Sequence, residues 1–195
     1  MPEKTRLRRE ILARRDAEHD RPRRSRAIVE RILNLPEYEV ATLVSAFIGV
    51  GAEVDTFPLI ETALARGKRV AVPWVDGRVL RLFDLANVGE LAPAPFGLLE
   101  PPPDLRADAS REVRPAEVDL FVVPGVAFDL EGGRLGHGRG YYDGLLAQAR
   151  GRVPFIAAAF DCQLVERVPM TPRDVPVNAI ATESALHRAA GLRAS

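Results

Sequence analysis

Val118-Asp-Leu-Phe-Val-Val-Pro-Gly-Val-Ala-Phe-Asp-Leu-Glu-Gly-Gly-Arg-Leu-Gly-His-Gly-Arg-Gly-Tyr-Tyr-Asp143 joins a short apolar run, a glycine-rich loop and the start of a helix in immediate succession. Residues 118–124 are apolar at nearly every position, as in a strand with both faces covered. Residues 141–150 then read as helix. A strand that feeds a helix through a loop is the repeating unit of an α/β sheet.

The alternation continues on both sides. Residues 42–48, 69–74, 155–160 and 179–182 are further short apolar runs, the second of them expected to end at Pro73. Residues 57–66 read as a helix that Gly67 caps, and residues 79–85 alternate like an edge or hairpin strand. Pro93, Pro95, Pro101, Pro102, Pro103 and Pro115 mark residues 92–117 as loop. Upstream, Leu7, Ile11, Leu12 and then Ile28, Ile32, Leu33 recur at helical spacing over residues 3–35, broken at Asp20-Arg21-Pro22. The tail from Ser184 is expected to fray. The pattern predicts an α/β fold of three layers, with a mostly parallel central sheet and helices on both faces, in a single domain spanning residues 1–195.

Composition narrows the function classes. The chain has 195 residues, 47% apolar and 28% charged, as expected of a globular protein. Its 27 basic and 27 acidic side chains cancel, which argues against a general nucleic-acid binder. One cysteine, Cys162, excludes an intrachain disulfide framework and reads as a small buried hydrophobe. No apolar run reaches the length of a membrane span, and the first segment carries too many acids for a transit peptide. A cytoplasmic enzyme, monomeric and acting on small molecules, is the expectation. Between Lys4 and Arg31 there are eleven basic and five acidic residues, which suits either a solvated helix face or a phosphate site.

Ligands of such sheets bind beyond the carboxyl ends of the strands, where the glycine-rich loop stands. Its glycines can aim successive N–H groups at one anion, with Arg134, His137 and Arg139 supplying charge. The dinucleotide fingerprint fails, because Tyr141 stands where a third glycine is needed after Gly136 and Gly138. The Walker loop fails as well, since Gly67-Lys68 is followed by Arg69.

Arg134-Leu-Gly-His-Gly-Arg-Gly-Tyr-Tyr-Asp143, preceded by Val-Pro-Gly-Val-Ala-Phe-Asp129, resembles the signature of the 5-formyltetrahydrofolate cyclo-ligase (methenyltetrahydrofolate synthetase) family. Lys4-x-x-Leu-Arg8, Glu53-Val-Asp-Thr56, Phe96-Gly-Leu-Leu-Glu-Pro101 and Asp174-Val-Pro-Val-Asn178 agree in order and spacing, so the resemblance spans residues 3–183. It implies a fold like that of sugar-phosphate isomerases and CoA transferases. It also implies ATP- and Mg²⁺-dependent closure of 5-formyltetrahydrofolate to 5,10-methenyltetrahydrofolate, through phosphorylation of the formyl oxygen. A paralogue that binds nucleotide or folate without cyclising is the alternative.

Carried onto this chain, the resemblance assigns ATP contacts to Lys4, Thr5, Arg6, Leu7 and Arg8, and to Arg134, Leu135, Gly136, His137, Gly138, Arg139, Gly140, Tyr141 and Tyr142. Arg139 and Lys4 are the candidate catalytic cations. Folate contacts fall on Ile48 and Glu53 together with His137, Gly138, Arg139, Gly140 and Tyr141, and Asp143 and Asp174 would hold Mg²⁺. Plainer readings stand beside these. Asp143 suits the first turn of any helix, Asp174 a turn, Glu53 an exposed surface position, and Ile48 the core. Phe47, Trp74, Tyr141 and Tyr142 could stack on the pterin or benzoate rings, but Phe47 and Trp74 read more readily as core. Asn178 stands where aspartate is frequent in the family, so no second carboxylate is expected there.

Overall fold

The computed structural model describes residues 2–94, 97 and 99–189. The chain begins with three helices, α1 (Pro2–Asp16), α2 (Arg21–Leu33) and α3 (Pro36–Val40). β1 (Leu43–Ala46), α4 (Phe57–Ala65), β2 (Arg69–Asp76) and β3 (Val79–Leu85) follow. Short pieces come next: β4 (Ala92–Pro93), β5 (Leu99–Glu100), α5 (Pro103–Arg106) and β6 (Glu112–Val113). The remainder is β7 (Leu120–Val123), β8 (Ala127–Phe128), β9 (Arg134–Leu135), α6 (Tyr141–Leu146), β10 (Phe155–Ala158), β11 (Ala179–Ala181) and β12 (Leu186–Arg188).

Eight strands form one sheet in the order β12-β11-β10-β7-β1-β2-β3-β6. The five in the middle, β11 to β2, are parallel, and β12, β3 and β6 each pair antiparallel with their inner neighbour. Strand periodicity sends alternate side chains to opposite faces. Val44, Ala46, Leu120, Val122, Ile156 and Ala158 pack with Ile28, Ile32, Leu59 and Ile60 of α2 and α4. Leu43, Phe121, Val123, Phe155 and Ala157 face the other way, onto Leu145 and Leu146 of α6. Both faces are therefore covered, which is why these runs are apolar throughout.

Several expectations are corrected. Pro73 does not end its strand: β1 leaves β2 after Ala71, so from Val72 onward β2 has a ladder on one side only, where a missing N–H is tolerated. The proline-rich span 92–117 is not all loop, because Glu112 and Val113 pair with β3. The tail is not frayed at Leu186–Arg188, which pair with β11; residues 190–195 lie outside the described set. Regular helix after the glycine-rich loop stops at Leu146, short of residue 150. The loop itself holds a small hairpin, β8 against β9, that periodicity could not reveal in two-residue strands.

Asp119 fixes the start of the central pair. Its carboxylate accepts from Thr42 N at 2.9 Å, Thr42 Oγ1 at 2.6 Å and Leu43 N at 2.9 Å, tying the entry of β7 to that of β1. Partial burial works to raise this carboxyl, but those hydrogen bonds outweigh it and hold it below the usual carboxylate range. A depressed folded value stabilises above the unfolded pKa and stops doing so as pH falls through the folded one. Asp119→Ala should therefore lower the free energy of urea unfolding by about 1 kcal/mol at neutral pH. The gap between parent and variant should close in acid.

Candidate active site

β1 lies between β2 and β7 in a parallel array. From β1 the chain goes one way to β2, while β7, β10 and β11 extend the sheet the other way. The crevice past the carboxyl ends of β1 and β7 is thus a topological switch point, where open α/β sheets bind ligands. Two loops meet there, the Glu53 loop after β1 and the glycine-rich loop after β7.

The second loop is shaped by a buried carboxylate that the sequence did not single out. Asp129, 3% exposed, accepts from Gly133 N at 2.6 Å, Glu131 N at 3.1 Å and Val168 N at 2.7 Å. Gly133 must be glycine, because a Cβ there would stand 2.4 Å from Asp129 Oδ2. The buried Gln163 amide braces the loop's entry by donating to the carbonyls of Gly125 and Val126, at 2.9 and 3.1 Å. The early glycines are thus packing glycines rather than anion donors. The exposed part runs from His137 to Gly140, with φ of 97° at Gly138 and 70° at Gly140. Arg139 sits between them, exposed, and makes no ion pair or hydrogen bond among the described residues.

α1 docks on this loop. Its Leu7, Ile11 and Leu12 pack with Val126, Ala127, Leu135 and Val168, a cluster separate from the two sheet cores. That docking lays its cations along the loop. Lys4 Nζ stands 2.6 Å from Asp174 Oδ2, and Arg8 Nε donates to Gly136 O at 2.8 Å. Thr5 and Arg6 are exposed, turned about 100° and 200° from Lys4 around the helix. Leu135 is buried in that apolar cluster, so its side chain stands away from the expected ATP contact, while Leu7 packs at the cluster's partly buried edge.

Arg134 also departs from expectation. It was expected at the loop's edge but is 3% exposed, with Nη2 2.6 Å from Asp143 Oδ1 and its guanidinium 5.8 Å from the Tyr142 ring centre. Burial pulls its pKa down, against the opposing pull of Asp143. Asp174 is held below the usual carboxylate range: burial acts to raise it, but Lys4 and Thr171 outweigh that by donating to the same oxygen. Asp143 Oδ1 also accepts from Val175 N at 3.1 Å. The Lys4–Asp174 and Arg134–Asp143 pairs adjoin through Val175, whose N–H donates to Asp143.

Across the crevice, Glu53 Oε2 accepts from Val50 N at 3.2 Å, and Oε1 faces His137 Nε2 at 3.4 Å and Arg15 at 3.7 Å. His137 thus links the two loops. Tyr141 donates to Gly77 O at 3.3 Å, fastening the start of α6 to the β2–β3 turn. Burial, then the nearby Glu53 charge, pushes the Tyr142 phenol up, so it stays protonated. Ile48 is partly buried at the rim of the sheet core. Phe47 lies in the core, and Arg106 covers the Trp74 ring at 4.4 Å. Asn178, just before β11, accepts from Phe155 N at 2.8 Å through Oδ1 and so ties the entries of β10 and β11 together. Cys162, partly buried, is pushed up to about 12, chiefly by burial and then by Glu18 and Glu183, and so stays a thiol at neutral pH. Phe96 and Leu98 of the Phe96–Pro101 segment lie outside the described residues.

Among the described residues no three His, Cys, Asp or Glu side chains form a metal cage. Asp143 and Asp174 nonetheless suit Mg²⁺, which takes one or two carboxylates and completes its shell with phosphate and water. Each spends one oxygen on its hydrogen bonds and keeps the other without a partner among the described residues.

The profile of the 5-formyltetrahydrofolate cyclo-ligase family matches residues 1–183. The Escherichia coli K12 5-formyltetrahydrofolate cyclo-ligase is 35% identical over 164 residues, covering 79% of this chain and 85% of that protein. The mitochondrial 5-formyltetrahydrofolate cyclo-ligase of Arabidopsis thaliana is 30% identical over 186 residues, covering 84% and 67%. The solution structure of Aquifex aeolicus 5,10-methenyltetrahydrofolate synthetase superposes with a TM-score of 0.82 at 33% identity, over 98% of this chain and 95% of that one.

Because the loop's shape hangs on Asp129, Asp129→Ala should strand three backbone donors and cost roughly 3 kcal/mol of stability. Gly133→Ala should reproduce much of that loss by pushing the carboxylate aside. Denaturant melts of both variants provide the check, and values within 0.5 kcal/mol of the parent, about the scatter of ordinary surface changes, would remove Asp129 from this role.

Proposed function

The chain belongs to the 5-formyltetrahydrofolate cyclo-ligase family, and on that premise we propose that it closes 5-formyltetrahydrofolate to 5,10-methenyltetrahydrofolate as ATP is converted to ADP and phosphate. One observation carries this reading. The cations of α1, the exposed Gly138–Gly140 turn and the Asp143 and Asp174 carboxylates converge at the switch point, and His137 joins them directly to Glu53.

A formamide carbonyl is a poor electrophile, and its oxygen is a poor leaving group. Transfer of the γ-phosphoryl group to the formyl oxygen forms an O–P bond as the β–γ bridge breaks, and ADP departs. N10 then attacks the formyl carbon, and phosphate leaves with the N10 proton. Such a transfer asks the protein chiefly for alignment and for cations against the phosphate oxygens. Lys4 exchanges Asp174 for an oxygen of the terminal phosphates. Gly138–Gly140 present backbone N–H groups, and the unpaired Arg139 faces the group in transit. Buried Arg134 contributes by fixing Asp143 rather than by touching nucleotide. Asp143 and Asp174 would hold Mg²⁺, which supplies charge neutralisation to the phosphate oxygens. Glu53 accepts from the row of N–H donors on the pterin.

The test is direct. Purified protein with 5-formyltetrahydrofolate, ATP and Mg²⁺ should develop the methenyl chromophore, and omission of ATP or chelation of the metal should abolish it. ATP binding with no chromophore would identify the non-cyclising paralogue instead. Arg139→Ala should reduce kcat about 10²-fold while the ATP KM moves less than about threefold. Equal losses in both would take the catalytic role from Arg139.

A further inference from the structure

Lys4, Arg8, Ile11 and Arg15 recur at i, i+4, i+7 and i+11, within an arc of about 60° on α1. The stripe is continuous with the helix's docking face, so its third cation is carried inward. Arg15 is 6% exposed, and its Nε makes no hydrogen bond. Its Nη1 lies 3.7 Å from Glu53 Oε1, an ion-pair distance beyond hydrogen-bond range. Nothing in the family signature draws attention to this residue.

A buried ion pair contributes little net stability over an apolar pair of the same size, because desolvation offsets the attraction. What it supplies is orientation. Glu53 Oε2 is held by Val50 N, and Oε1 has Arg15 on its core side and His137 on its solvent side. The Glu53 side chain is 11% exposed and that of His137 55%, so His137 is the displaceable cover and Arg15 the fixed support. We propose that Arg15 is a positioning residue: it holds the Glu53 carboxylate in place for the folate when His137 gives way. α1 then serves both substrates, with Lys4 at the phosphate end and Arg15 behind the folate carboxylate.

This inference rests on the reading that Glu53 receives the folate, and the experiment separates the two. Steady-state kinetics on the full chain would compare Arg15→Met, Arg15→Lys, Glu53→Gln and the double variant Arg15→Met/Glu53→Gln, with the melting temperature of each. Arg15→Met should raise the KM for 5-formyltetrahydrofolate about tenfold or more while the ATP KM stays within about twofold, since misplaced contacts of this kind cost up to 10²-fold. Arg15→Lys should recover part of the loss, and the double variant should be no worse than Glu53→Gln. Should Arg15→Met fail to fold, Arg15→Gln carries the same comparison. Equal rises in both KM values, an unchanged folate KM, or additive losses in the double variant would overturn the role of Arg15 alone. A folate KM untouched by Glu53→Gln would overturn the Glu53 reading, and the inference with it.

Discussion

The packing of Leu7, Ile11 and Leu12 against the β8–β9 hairpin governs everything at this site. An amphipathic helix must bury its apolar stripe, and the two sheet faces are already taken by α2, α4 and α6. α1 therefore covers the loop instead of the sheet. Lys4, Arg8 and Arg15 lie along the same stripe, so one hydrophobic contact sets where three cations stand.

The loop in turn is firm where it is buried and open where it is exposed. Asp129 and Gln163 fix the segment up to Gly133 by bonds to backbone groups. Past Gly136 the chain has few such ties, and Gly138 and Gly140 take left-handed conformations with Arg139 between them. A rigid base and an exposed amide-rich tip are what pre-organised anion binding requires. The neighbouring cations are matched by carboxylates, Lys4 with Asp174 and Arg134 with Asp143. Under the proposed function a phosphate oxygen takes the place of Asp174 at Lys4 while Arg134 keeps Asp143, so no buried cation is left unpaired.

The contrast between Arg134 and Arg139 shows how far residue type alone can mislead. Both are arginines in one glycine-rich segment, five positions apart. Arg134 opens β9 and points into a buried pair with Asp143, whereas Arg139 tops a turn in solvent. Their roles diverge because burial separates them: one orients a carboxylate, and the other is free to meet a ligand.

Apolar runs of four to eight residues, spaced by helical segments, were enough to read a mostly parallel sheet with helices on both faces, since that pattern has few other packings. The glycine-rich loop, the Lys4 and Glu53 segments and the two aspartates were legible as a family signature. Strand limits at Pro73, the β8–β9 hairpin and the paired tail were not, because each depends on a neighbouring strand's reach rather than on local propensity. Nor could spacing alone show that Leu135 and Arg134 are buried, that Asp129 organises the loop, or that Arg15 stands behind Glu53. The sequence by itself determined the fold class, the family and where the long strands and helices fall. Only the tertiary structure decided which charges face solvent and which face each other, because pairings across 38 to 170 positions arise from packing that no local window contains.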